Sequence, residues 1–246
     1  MPYKAQACKS YVETTRLSSS PEHRSLSLQE IVARAREELD GKSKLHDAAQ
    51  SLGREAVRAS KQATFRIHRR DLEGAEAKLT EAAEAIREIT KTAESQPELA
   101  YSGSFLLACQ EYAEAKLLLS VIRGEGLPGW TEIGVQPLPY VLGLADLVGE
   151  FRRAAVDALR NGHIQEAERR LNEMEEIYVE LFTVESPIAI SQGLRRKLDI
   201  ARRLIETTRG EVTLEVRRLD LERSMNELRT QLTSRPRRRK KGGKAP

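Results

Sequence analysis

Three observations predict an all-α fold, a single bundle of six or seven long antiparallel helices. Apolar residues recur at three- to four-residue spacing along most of the chain, and no stretch alternates with period two for long enough to form a sheet. The composition is rich in Ala, Leu, Glu and Arg, with 32% charged and only 4% aromatic residues, which favours helices with charged outer faces over strands. A length of 246 residues is enough to bury a sizeable core.

The elements follow in order. Residues 1–24 are polar, include Ser18-Ser19-Ser20-Pro21 and lack periodicity, so a flexible arm is expected there. The helical domain is expected over 25–233. It opens at Ser27-Leu28-Gln29-Glu30, a capping box, and the first helix continues to Arg70 with a break expected at Asp40-Gly41. Its seam is Leu45, Ala49, Leu52, Ala56, Ala59 and Ala63, small residues that let helices approach closely. A second helix is expected from Leu72 to Ala93, closed by Gln96-Pro97, and a third from Glu98 to Arg123. The run Gly124-Glu125-Gly126-Leu127-Pro128-Gly129 reads as a loop with room for one short helical turn beyond it. Pro137-Leu138-Pro139 starts a fourth long helix that stops at Asn161-Gly162, and Ile164–Phe182 is its antiparallel return. The last helix is expected from Ile188 to Leu232, with the near-heptad seam Leu194, Leu198, Ala201, Ile205, Thr208, Val212 and Leu219. Residues 234–246 form a basic tail expected to be disordered.

Several function classes are excluded by what the chain lacks. Cys8 and Cys109 make neither a disulfide framework nor a CxxC pair, and Cys109 reads as a small buried hydrophobe. His23, His46, His68 and His163 show no ligand spacing, and there is no P-loop, dinucleotide fingerprint or GxSxG. No apolar run approaches the roughly 20 residues that span a bilayer, and no signal peptide is evident, so a soluble cytoplasmic protein is expected. The net charge of +4 is a property of the tail. Arg235, Arg237, Arg238, Arg239, Lys240, Lys241 and Lys244 supply seven positive charges, and without them the chain carries −3. Any nucleic-acid site in the body is therefore a local patch.

Two acidic pairs do not read as solvated surface. Leu107, Glu111, Glu114 and Leu118 fall on one helical stripe, apolar at both ends and doubly acidic in the middle. Asp146 and Glu150 share a face four residues apart, inside the apolar run Tyr140–Phe151. Carboxylates in apolar surroundings lose hydration and repel one another, so they need a cation. Mg²⁺, or Mn²⁺ in its place, suits three or four convergent oxygens and activates water toward a phosphodiester. Lys116, Arg152 and Arg153 offer the other reading, in which the acids make ordinary salt bridges.

A basic face complements the acids. Arg54, Arg58, Lys61, Phe65 and His68 line one side of the first helix, opposite its Ala/Leu seam. Cations beside an aromatic ring suit single-stranded nucleic acid, and a merely solvated face is the alternative.

The segment Gln110-Glu111-Tyr112-Ala113-Glu114-Ala115, followed by Leu142-Gly143-Leu144-Ala145-Asp146-Leu147-Val148-Gly149-Glu150, resembles the translin family. Within that family it is most similar to the translin-associated factor X branch, with its QEYxEA and LGxADLxGE segments. Ser60-Lys61-Gln62-Ala63-Thr64-Phe65-Arg66-Ile67-His68-Arg69 is similar to the family's first long helix. The resemblance implies the translin fold, assembled as a homo-octameric shell that encloses RNA, with a translin-like partner subunit as the other form of assembly. It implies a Mg²⁺-dependent endoribonuclease acting on single-stranded RNA or unpaired regions. Glu111, Glu114 and Asp146 would ligate the metal, and Glu150 would be a fourth ligand or hold an intervening water. Arg54, Arg58, Lys61 and His68 would then face the shell interior and hold the phosphate backbone. The alternative within the family is a non-catalytic octamer that binds single-stranded RNA or DNA.

Overall fold

The computed structural model describes residues 26–234, and among these every regular element is helical. The arm at 1–24, with Cys8, and the basic tail beyond Ser234 lie outside the described residues. Six long helices carry the fold: α1 (Leu28–His68), α2 (Leu72–Ala93), α3 (Gly103–Arg123), α5 (Pro137–Arg160), α6 (Ile164–Phe182) and α8 (Leu194–Ser234). Two short ones, α4 (Trp130–Ile133) and α7 (Pro187–Ser191), and a 3₁₀ turn at Pro97–Tyr101 sit between them. No helix among the described residues is long and apolar enough to cross a membrane.

The chain divides into two units between Leu45 and His46. The described part of the first is helical and exposed, including Leu28, Ile31, Val32 and Leu39. Its start is the expected capping box, with Ser27 N–H donating to Glu30 Oε2 at 2.8 Å and Glu30 N–H to Ser27 Oγ at 3.3 Å. The break expected at Asp40-Gly41 is absent, and α1 runs unbroken for 41 residues. A single interior glycine costs a helix about 1 kcal/mol relative to Ala, which flanking helix formers outweigh.

The second unit, from His46 on, holds the core. The small-residue seam of α1 is buried at Ala49, Ala56, Ala59 and Ala63, and that of α8 at Leu194, Leu198, Ala201, Ile205, Thr208 and Val212. Helix α5 packs against α3, α6 and α8. Its apolar face is buried at Leu142, Ala145, Leu147, Val148 and Phe151. Cys109 is buried as expected, and burial pushes its thiol up to about 12, which leaves it an inert apolar side chain.

Besides the end of the last helix, which runs to Ser234 rather than Leu232, three boundaries differ from the sequence reading. α1 ends at His68, because Arg70 takes a positive φ of 62° and Asp71 caps the next helix by accepting from Gly74 N–H at 3.0 Å. The third helix begins at Gly103 rather than Glu98, since the Ser102 hydroxyl accepts from Phe105 N–H at 3.4 Å and starts a new helix after the 3₁₀ turn. The last helix begins at Leu194 rather than Ile188. Gly193 adopts a left-handed φ of 94°, which separates α7 from α8 without disturbing the apolar spacing.

Candidate functional site: an acidic cluster beside a basic groove

The apolar content of α3 and α5 decides where their acids go. On α3, Tyr112, Ala113, Ala115 and Leu118 are buried, so Glu111 and Glu114 are carried to the edge of the core, half-buried. On α5, buried Ala145, Leu147 and Val148 do the same for Asp146 and Glu150. The two helices meet closely at Gly143, where a Cβ would stand 2.9 Å from Gln110 O and 3.1 Å from Glu114 N. Asp146 lies one turn beyond this contact, and the Gln110 side chain donates to Asp146 Oδ2 at 2.7 Å.

The four predicted acids are thus electrostatic neighbours. Glu114 is pushed up to about 8, first by burial and then by the charges of Asp146, Glu111 and Glu150, against a smaller opposing effect of Lys197. The others face basic side chains from α1 and α8. Lys197 Nζ donates to both Asp146 oxygens at 2.6 and 2.7 Å, and Lys61 Nζ lies 3.5 Å from Glu111 Oε1. His68 Nε2 lies 2.7 Å from Glu150 Oε2, but the two are not aligned as a hydrogen bond, and both atoms are buried without another partner.

Of the cations considered from the sequence, Arg152 is engaged elsewhere. It donates to Thr208 Oγ1 at 2.6 Å and to both Glu211 oxygens at 3.1 and 3.0 Å, tying α5 to α8. The basic stripe divides in two. Arg54, Arg58, Lys61 and Phe65 line a groove of about 510 Å³ with Gly53, Ser104 and Leu107. His68 instead reaches the acidic cluster. Lys61 belongs to both, so the groove leads to Glu111. Leu107, expected as the apolar end of the acidic stripe, is exposed on this groove.

Sequence reasoning assigned no role to Gln110, Gly143 or Lys197. The signal for Lys197 is its place between Leu194 and Leu198, on the edge of the buried seam, where a cation is out of keeping with the pattern.

The donor set suits a hard divalent cation. Its oxygens are carboxylates, negative charge is crowded at Glu114, and the buried Glu150 Oε2 has no donor. Among the described residues, however, no three His, Cys, Asp or Glu side chains are gathered closely enough to hold an ion as they stand. The charge is present, and basic side chains of α1 and α8 stand against it.

Comparisons with known proteins show the family and the fold. A model of the Translin family matches residues 27–207. An uncharacterized protein of Methanocaldococcus jannaschii, MJ0175, is 30% identical over 185 residues, which cover 74% of this chain and 82% of that protein. The crystal structure of AfC3PO is 33% identical with a TM-score of 0.66, over 76% of this chain and 98% of that one. The AfC3PO–duplex RNA complex gives 32% and 0.67 over the same shares. The crystal structure of apo-NeC3PO, 22% identical with a TM-score of 0.67, covers 81% of this chain and 100% of that one, and shares the fold.

Proposed function

We propose that this chain, which belongs to the translin family, is a divalent-metal-dependent endoribonuclease that cuts single-stranded RNA or the unpaired parts of duplexes. The observation that carries the reading is the convergence of Glu111, Glu114, Asp146 and Glu150 from two helices at the end of a basic groove. Solvated surface acids have no reason to be placed so that burial, and then the charges of three neighbouring acids, push one of them up to about 8. RNA as the ligand is supported by AfC3PO, which has been captured with duplex RNA.

In this reading Glu111, Glu114 and Asp146 hold Mg²⁺, or Mn²⁺ in its place, and Glu150 completes the acidic set. The cation supplies Lewis-acid stabilisation of the phosphodiester and a more acidic water. The chain's own groups do the rest. Arg54, Arg58 and Lys61 bind the backbone, Phe65 offers a ring to a base, and His68 stands against Glu150. Self-association as a homo-octameric shell around the RNA, with or without a translin-like partner subunit, and a cytoplasmic site of action belong to the same proposal.

The test is incubation of the purified protein with end-labelled single-stranded RNA in Mg²⁺ and in EDTA, beside Glu111→Ala/Glu114→Ala. Cleavage that requires both metal and the two glutamates supports the nuclease. RNA retarded but uncut under Mg²⁺ and Mn²⁺ overturns it in favour of a second reading, a binding octamer of translin type that also accepts single-stranded DNA. One observation favours that second reading: the carboxylates already have partners in Lys197, Lys61 and His68.

A further inference from the structure

We propose that Lys197 is the resident counter-ion of the acidic cluster, holding the place at Asp146 that a divalent cation takes when it binds and leaving it on binding. The inference rests on the metal-dependent reading above and adds to it how the site is kept assembled without metal.

The geometry at Asp146 is the starting point. Lys197 Nζ straddles the carboxylate, 2.6 Å from one oxygen and 2.7 Å from the other, and Gln110 takes a further position on Oδ2 at 2.7 Å. Three of the roughly four acceptor positions of an ionised carboxylate are then in use. An ammonium and a divalent ion on one carboxylate repel each other across a few ångströms in a partly buried site, so each weakens the hold of the other. This accounts for four carboxylates crowded together with no three of them forming an ion cage.

The placement of Lys197 also permits exchange. It sits between the buried Leu194 and Leu198 on α8, which anchors its backbone beside the site. The ammonium ends a flexible four-carbon stem, and its strength as a ligand for oxygen is that of a point charge without fixed direction. Lys197 lines a cavity of about 430 Å³ with Asp146, Gln192, Gly193 and Arg196. A displaced ammonium has this space to enter. Lys61 and His68 stand beside Glu111 and Glu150, 3.5 and 2.7 Å from one oxygen of each.

The experiment compares the full-length wild type with Lys197→Met, Lys197→Gln and Lys197→Arg, without RNA and at fixed pH and ionic strength. Binding of Mn²⁺ is followed by the electron paramagnetic resonance signal of the free ion, and melting temperature is recorded with and without Mn²⁺. The neutral variants are expected to bind Mn²⁺ about tenfold more tightly than wild type or better, since a competing charge is removed. They are also expected to melt lower than wild type without metal and to gain more from Mn²⁺, whereas Lys197→Arg stays at or below wild-type affinity. The Gln variant gives the same reading if Met at this position does not fold. Wild-type binding with unchanged or weaker binding in the neutral variants overturns the counter-ion role and leaves the metal site standing. No binding by any of the four proteins overturns the metal site, and the counter-ion role with it.

Discussion

Gly143 of α5 lies so close to Gln110 of α3 that a methyl group on it would stand 2.9 Å from the Gln110 carbonyl oxygen. The same methyl would meet Glu114 N at 3.1 Å and Ala113 Cβ at 3.3 Å. The two nearest of these three atoms are helix backbone, so α3 and α5 must part for it to fit. Gly143→Ala is therefore expected to destabilise by about 1–3 kcal/mol, the usual cost of overpacking a tight contact. Gly149, two turns along the same helix, has nothing within 4 Å of its would-be Cβ. There Gly→Ala is expected to be neutral or to stabilise by up to ~1 kcal/mol through helix propensity. Urea denaturation of the two variants side by side decides the matter. Equal effects would mean that the close approach constrains nothing.

The cap at Asp71 makes a prediction with a definite pH window. The Gly74 N–H and then the Arg66 guanidinium hold its carboxyl below the ordinary value of 3.8. A carboxylate depressed on folding stabilises the folded state above its unfolded pKa, and that contribution is lost as pH falls through the folded value. At neutral pH Asp71→Ala should melt lower than Asp71→Asn, which keeps an acceptor for the cap, and both should melt below wild type. The gap between wild type and Asp71→Asn should close only below pH 3.8, as Asp71 takes up its proton. A gap that persists unchanged through that window would remove the charge from the explanation.

These two sites show which features a sequence discloses. The Ala seam of α1 and the Leu/Ala/Ile seam of α8 were legible because burial of one helical face imposes a period, and no partner need be known to see it. The acids at 111, 114, 146 and 150 were legible because charge inside an apolar pattern is out of keeping with it. The identity of their partners was not. Arg152 is near Glu150 in sequence yet reaches Thr208 and Glu211, whereas Asp146 is neutralised by Lys197, 51 residues away. Which cation meets which acid depends on how helices are laid side by side, and periodicity within one helix is blind to that. Gly193 escaped for the opposite reason. The apolar spacing continues across it, so only its left-handed backbone separates α7 from α8.

Glu114 is the acid whose removal separates binding from chemistry. It lies under the combined charge of Asp146, Glu111 and Glu150. Glu114→Ala subtracts one member of the proposed ion cage and introduces no charge that would repel phosphate. Cleavage of end-labelled RNA should fall to background, while RNA affinity in Ca²⁺ or EDTA should hold or improve. Retained cleavage would place the chemistry elsewhere.

The groove on α1 is best tested at its end remote from the acids. Arg54 and Arg58 are exposed, and among the described residues their polar contacts are local, with Gln50 at 2.9 Å and Glu55 at 3.7 Å, so changing them leaves Lys61 and its Glu111 contact in place. If both engage phosphates, Arg54→Ala/Arg58→Ala should weaken binding of single-stranded RNA about equally for all sequences. Each lost phosphate contact should reduce the slope of log K against log[salt] by about 0.7, hence roughly 1.4 for the pair. Phe65, 60% exposed with the Arg69 guanidinium 5.5 Å from its ring centroid, is placed to stack a base. Phe65→Ala should cost about 1–3 kcal/mol of affinity and leave the salt slope unchanged, because stacking releases no counterions. Fluorescence anisotropy over a series of salt concentrations reads both quantities. Unchanged affinity in both variants would reduce the stripe to a solvated face and move the RNA path off this groove.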